Sequence, residues 1–114
     1  MQSKIIDDRL SVGAQIRPSD IEKLLARGFR SILCARPDGE QPNQPRFEEI
    51  EAAARAVGLQ AIHAPVDPGP IDRGQASRFA AALRELPPPV FAYSASGGRS
   101  VMLASMNGRP WRGA

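Results

Sequence analysis

The chain has 114 residues, of which 42% are hydrophobic and 24% charged, with a formal net charge of +3 and one cysteine. These values are ordinary for one small domain, and they exclude a membrane-spanning helix and an internal disulfide. The basic residues are scattered and only 5% of residues are aromatic, which makes nucleic acid an unlikely partner. We expect a cytoplasmic location, because the N-terminus lacks a signal-peptide core and the cysteine usage fits a reducing compartment.

Apolar patterning and turn residues predict alternating strands and helices through the first half of the chain. One or two short strands are expected within residues 4–12. A helix is predicted over 18–28, from a proline-serine-aspartate start to a glycine stop, and a buried strand over 29–35. A rigid, proline-rich loop over 36–45 then leads to a second amphipathic helix over 46–57.

The second half continues the alternation until the tail. A strand is predicted over 59–66, a third helix over 71–86, and an apolar strand over 90–93 that feeds a helix starting near Arg99. Residues 107–114 are rich in breakers and predict an irregular tail. Strands that alternate with helices favour one α/β domain, residues 1–114, with three layers and a mostly parallel sheet between helices.

The connection after the strand 90–93 carries the strongest chemical signal. Small residues there let consecutive amides point inward, and Gly97 and Gly98 can take the positive φ that such a nest needs. The following helix adds the positive end of its dipole, and Arg99 supplies a planar fork of donors. The predicted anion-binding residues are Ala95, Ser96, Gly97, Gly98, Arg99 and Ser100, with Ser94 before them.

Parallel strands place their following loops at one edge of the sheet, so 36–40 and 67–72 should border this loop. Asp67 is the candidate general acid, and its alternative role is a turn former before proline. Asp72 is the second candidate, and its alternative role is a helix cap. Asp38 could order the site or simply form an Asp-Gly turn, and Arg36 could pair with Asp38, bind substrate or lie at the surface.

The remaining chemically reactive side chains have structural interpretations. Cys34 ends an apolar strand, which favours a buried and inert thiol, although its place near the loop leaves a redox role open. His63 is interpreted as a hydrogen-bonded strand histidine rather than a base. One histidine, one cysteine and scattered carboxylates show no metal-ligand spacing, so neither a metal nor another cofactor is predicted.

Three segments, 92–100, 12–16 and 36–40, resemble the phosphatase-like domain of beta-lactamase-hydrolase-like proteins, which is related in fold to dual-specificity phosphatases. That family's loop has a nucleophilic cysteine where this chain has Ser94, whereas Gly97, Arg99 and Ser100 match. The resemblance implies cysteine-dependent phosphate-ester hydrolysis, with Asp67 in the place of the proton donor. A serine alkoxide forms far less readily than a thiolate, so we expect oxyanion binding with little or no turnover.

Several alternatives stay open at this stage. Ser94 could be an engineered replacement, a natural pseudoenzyme feature or, least favoured, a nucleophile itself. Four residues separate Ser94 from Arg99, one fewer than in the usual tyrosine-phosphatase loop, and this spacing resembles rhodanese-like sulfurtransferases acting on thiosulfate or persulfide. A non-catalytic module for a phosphorylated or acidic partner is the third alternative. The expected partner is a small anionic or phosphorylated substrate, with no membrane.

The C-terminus is shorter than the pattern of the resembled domain by roughly one or two helices. Three explanations are open: a truncated form, Trp111 packing back across the exposed core face, or a second subunit, as in a homodimer, covering that face.

Overall fold

Strands and helices alternate along the chain, as the turn signals predict. The computed structural model of the protein describes residues 2–113. Within that range the strands are β1 Ser3–Ile5, β2 Leu10–Gly13, β3 Ser31–Cys34, β4 Gln60–His63 and β5 Val90–Tyr93. The α-helices are α1 Ile21–Ala26, α2 Phe47–Ala56, α3 Arg73–Glu85 and α4 Gly98–Met106, and a 3-10 turn, Pro18–Asp20, leads into α1.

The strands form one sheet in the order β1-β2-β5-β3-β4. β2, β3, β4 and β5 run parallel, with Val90 paired to Leu10 on one side and to Ser31 on the other. Only β1 is antiparallel, as the first half of a hairpin with β2. The predicted mostly parallel sheet is confirmed, and the parallel strands end together at one edge, where ligands bind in sheets of this kind.

The central strand β5 divides the core into two clusters. Val90 and Ala92 pack with residues of α3 and α4, whereas Phe91 and Tyr93 pack with residues of α1 and α2. All four side chains are at most 1% exposed. A strand that is covered on both faces has a continuous run of apolar residues in its sequence. The apolar run 90–93 therefore predicts this strand at its observed bounds. The three-layer arrangement is confirmed.

One predicted strand differs in detail, whereas the tail is irregular as predicted. The strand expected over 59–66 is shorter, Gln60–His63, and beyond it the amides of Ala64 and Val66 still donate to the carbonyls of Cys34 and Ala35. The tail returns to the edge strand β1: Lys4 Nζ lies 4.4 Å from the centroid of the Trp111 ring, and Arg109 pairs with Asp7. Trp111 is 39% exposed. No helix in the described range is long and apolar enough to cross a membrane.

Candidate functional site

The loop after β5 begins with a buried hydroxyl. Ser94 is fully buried, and its backbone amide donates to the Gly13 carbonyl at the end of β2, 3.2 Å away. The amide and the hydroxyl of Ser100, in the first turn of α4, both lie 3.4 Å from Ser94 Oγ. The side chain at position 94 therefore faces two donors and the positive end of a helix, a setting that favours a negative charge there.

Gly97 makes the turn from strand to helix, and only glycine suits its geometry. Its φ is +93°, in the left-handed region that side chains disfavour. A Cβ placed on it would lie 3.1 Å from the carbonyl carbon of Gly13. The loop is thus packed backbone against backbone on the end of β2, and its shape is held by contact as well as by dihedral preference.

Most of the loop amides lack a protein acceptor. Among residues 2–113, no hydrogen bond is formed by the N–H groups of four loop residues, namely Ala95, Ser96, Gly97 and Arg99. The Gly98 amide donates to Ser96 Oγ at 3.3 Å, and the Ser100 amide is used by Ser94. Four free donors in five consecutive residues at a helix start are the composition of an anion nest.

The guanidinium of Arg99 is paired with the carboxylate of Glu40. Its Nη2 and Nη1 lie 2.9 and 3.0 Å from the two oxygens of Glu40, and Nη1 also donates to the Val66 carbonyl at 2.8 Å. The side chains of Arg99 and Glu40 are each 15% exposed. Both line an open hollow together with Ala95 and Pro68. Arg99 therefore borders the loop as predicted, but its fork holds Glu40.

Arg36 does not have the partners that the sequence suggested. It is 2% exposed rather than at the surface, and it does not pair with Asp38. Its Nε donates to Glu40 at 2.8 Å, Nη1 to Gln15 at 2.9 Å and Nη2 to Gln41 at 3.0 Å. The buried guanidinium needs these acceptors, because an unpaired charge in the interior is costly.

Glu40 pairs with both arginines and so links Arg36 to Arg99. Partial burial raises the pKa of its carboxyl, but hydrogen bonds from Arg99 and Arg36 outweigh that effect and hold the pKa below its ordinary value. The carboxylate stays ionised near neutral pH, and the three charged groups together carry a net charge of +1. The site thus keeps a positive balance while Arg99 is held in one orientation.

The carboxylates proposed from the sequence have separate roles. Asp67 is exposed, directly follows Val66, and has no hydrogen-bond or ion-pair partner within the described range. Asp72 caps α3 through a reciprocal pair of hydrogen bonds with Gln75. Asp38 accepts from the Phe47 amide at 2.8 Å, and so ties the 36–45 loop to the start of α2. Of these, only Asp67 is left available beside the site.

Cys34 and His63 support the backbone beneath the site. Burial raises the pKa of the Cys34 thiol, whose Sγ lies 3.3 Å from the Arg36 carbonyl. The same carbonyl lies 2.7 Å from His63 Nε2, and the His63 ring stacks on Phe47. Burial and the neighbouring Cys34 also raise the pKa of Tyr93, which stays neutral. These groups fix the course of the Arg36 segment rather than offering reactive side chains.

Four partners in the site were missed by reasoning from the sequence: Glu40, Gln15, Gln41 and the Val66 carbonyl. Glu40 lies inside the 36–40 segment on which the family resemblance partly rests, which was the one available signal. Gln15 likewise lies inside the 12–16 segment. Gln41 and the Val66 carbonyl lie outside the three resembling segments, and the Val66 carbonyl meets Arg99 across 33 positions of the chain.

The central strand of the mostly parallel sheet leads into a glycine-rich loop and then into a helix with arginine in its first turn. This arrangement is that of a phosphatase-like α/β domain. The family described as "Beta-lactamase hydrolase-like protein, phosphatase-like domain" matches residues 2–109. The chain belongs to this family.

Related sequences and a solved structure support the same assignment. Beta-lactamase hydrolase-like proteins of Agrobacterium fabrum and Xylella fastidiosa Temecula1 are 36% and 35% identical over 103 and 106 residues, which cover 90% and 91% of this chain. The chain spans about a quarter of their length, 24% and 25%. A candidate phosphatase of Neisseria meningitidis Z2491 has a crystal structure that matches with TM-score 0.84 and 28% identity, over 91% of this chain and 74% of that one.

Proposed function

We propose that this domain binds the oxyanion of a small phosphorylated substrate in the 94–100 loop, and that the loop is built for cysteine-dependent phosphate-ester hydrolysis. With Ser94 in the nucleophile position, the chain as it stands binds such anions with little or no turnover. The observation that carries the proposal is the position of Ser94 Oγ, fully buried and 3.4 Å from two donors of Ser100.

The same geometry explains the expected loss of turnover. Donors and a helix dipole aimed at position 94 lower the pKa of a thiol strongly, so a cysteine there would be a thiolate at neutral pH. A serine hydroxyl starts from a much higher pKa and needs a neighbouring base to act as a nucleophile. His63, the sole histidine of the chain, is committed to the Arg36 carbonyl.

In the cysteine form, the thiolate would attack phosphorus while the four free amides receive the equatorial oxygens. The bond from phosphorus to the leaving oxygen would break, and Asp67 would protonate that oxygen. Water would then release the phosphate from sulfur. Asp67 suits the proton-donor role because it is exposed and unpaired, and because the carbonyl just before it holds Arg99.

The test is the Ser94→Cys variant assayed with a phosphate monoester at neutral pH. We expect turnover well above that of the unchanged chain, and a further Arg99→Ala substitution should abolish it. The ultraviolet absorbance of the thiolate provides a direct check of the loop's effect on a thiol: the introduced cysteine should be ionised at pH 6, whereas Cys34 of the unchanged chain should not. A variant that neither turns over nor forms a thiolate at pH 6 would overturn the assignment of the loop.

Sulfur transfer is the second candidate, supported by the short spacing of four residues between Ser94 and Arg99. A tighter loop has less room for a phosphate and its leaving group. The same Ser94→Cys variant should then attack the outer sulfur of thiosulfate, form a persulfide and release sulfite. Sulfite release without ester hydrolysis would favour sulfur transfer over phosphate-ester hydrolysis as the activity of the loop. Anion binding without either activity would identify a binding module.

A further inference from the structure

A second hollow lies on the other side of the loop. It is a groove of about 470 Å³ whose lining includes the end of β2, the loop residues Ser96 and Gly97, and the cationic residues Lys4 and Arg27. Its lining residues include Gly13, Ser96 and Gly97, with Ser3, Lys4 and Arg27 around them. Ala95 lines the hollow beside Arg99, and the next residue, Ser96, lines this groove, so the two are neighbours across the loop.

The charges of the two hollows differ. Beside Arg99, the two arginines share the carboxylate of Glu40. The groove is lined by no aspartate or glutamate, and neither Lys4 nor Arg27 forms an ion pair within residues 2–113. Arg27 Nη2 lies 3.2 Å from Ser3 Oγ, and Lys4 lies over the Trp111 ring. Neither contact is with an anion, so both side chains keep an uncompensated positive charge within residues 2–113.

We propose that this groove is a subsite for a second phosphate group, so that the preferred substrate is a small polyanion carrying phosphate beyond the group held in the 94–100 loop. The inference rests on the proposed function of that loop. Two uncompensated cations beside an anion nest attract a second negative group, and a cleft concentrates that field. Once the first phosphate is held, the second binds at a high effective concentration.

The experiment compares the affinities of orthophosphate and tripolyphosphate by calorimetry for the unchanged chain and its variants. The unchanged chain should prefer tripolyphosphate. Lys4→Ala combined with Arg27→Ala should lower that preference by roughly three- to tenfold, as expected for two exposed charge pairs, and leave orthophosphate affinity unchanged. The effect should shrink as salt is raised from 20 to 200 mM.

Arg84→Ala is the control for loss of surface charge, because it removes an exposed arginine away from the groove, in the last turn of α3. It should leave the ratio of the two affinities unchanged. Equal ratios in the groove variants, in Arg84→Ala and in the unchanged chain would overturn the subsite and leave the loop assignment standing. Failure of the unchanged chain to bind orthophosphate would overturn both.

Discussion

The two halves of the candidate site are built in opposite ways. The 94–100 loop is local in sequence, has small side chains except at Arg99, and leaves four amides without an acceptor among residues 2–113. The Arg36–Glu40–Arg99 network joins distant segments through charged side chains, and its contacts are made within the protein. The free hydrogen-bond donors of the site are therefore the loop amides, whereas the charged side chains are paired with one another.

This difference shows why a guanidinium beside an anion nest is not automatically a free binding group. Arg99 is anchored through Glu40 to a buried Arg36, so its guanidinium is held in one orientation. Rigid donors avoid the cost of reorganisation when charge develops. Variants that disrupt the network and the loop separately should have different effects on stability and on binding.

The largest effect should come from breaking the network. Glu40→Ala removes the carboxylate partner of Arg36, which is 2% exposed, and should reduce the free energy of unfolding by about 3 kcal/mol. Glu48→Ala is the control, since it breaks an exposed pair with Arg46 and should cost less than about 1 kcal/mol. Urea unfolding measures both. Equal losses would show that the network contributes no more than a surface ion pair.

A smaller effect on stability, but the greater effect on binding, should come from the loop. Gly97→Ala forces a side chain into positive φ and against Gly13, and we expect a loss of about 1–3 kcal/mol together with loss of orthophosphate binding. Gly28→Ala is matched in φ, +94°, but has open space around it. It should cost about 1 kcal/mol and leave binding intact. Intact binding in Gly97→Ala would argue against an anion nest.

The smallest effect concerns pH. The pKa of Glu40 is lower in the folded state than its ordinary value of 4.5, so its ionised form stabilises the fold above that pH. This contribution should be lost as pH falls from about 4.5 through the folded pKa. The stability difference between the unchanged chain and Glu40→Gln should therefore be constant near neutrality and shrink in acid. A difference that is flat down to pH 3 would contradict the assigned pairing.

Much of the fold was predictable because it rests on local signals. The apolar run at 90–93 and the glycine-rich turn after it identified the central strand and the loop, and the family resemblance rested on that loop with the 12–16 and 36–40 segments. Two of the alternatives for Arg36, pairing with Asp38 and exposure at the surface, were wrong, because no local pattern distinguishes a buried arginine from an exposed one. Asp38 ties its loop to α2, a contact that does not contradict the predicted role of ordering the site.

Local sequence patterns were enough to predict the alternation of strands and helices, the parallel sheet and the composition of the loop, since hydrophobic periodicity and glycine placement act over a few residues. The three-dimensional fold was needed to show that Glu40 occupies the fork of Arg99, and that Lys4 and Arg27, which form no ion pair within residues 2–113, line the groove on the other side of the loop. Those arrangements depend on contacts between residues far apart in the chain, such as Glu40 and Arg99, which are 59 positions apart, and they form only when the sheet brings its strand ends together.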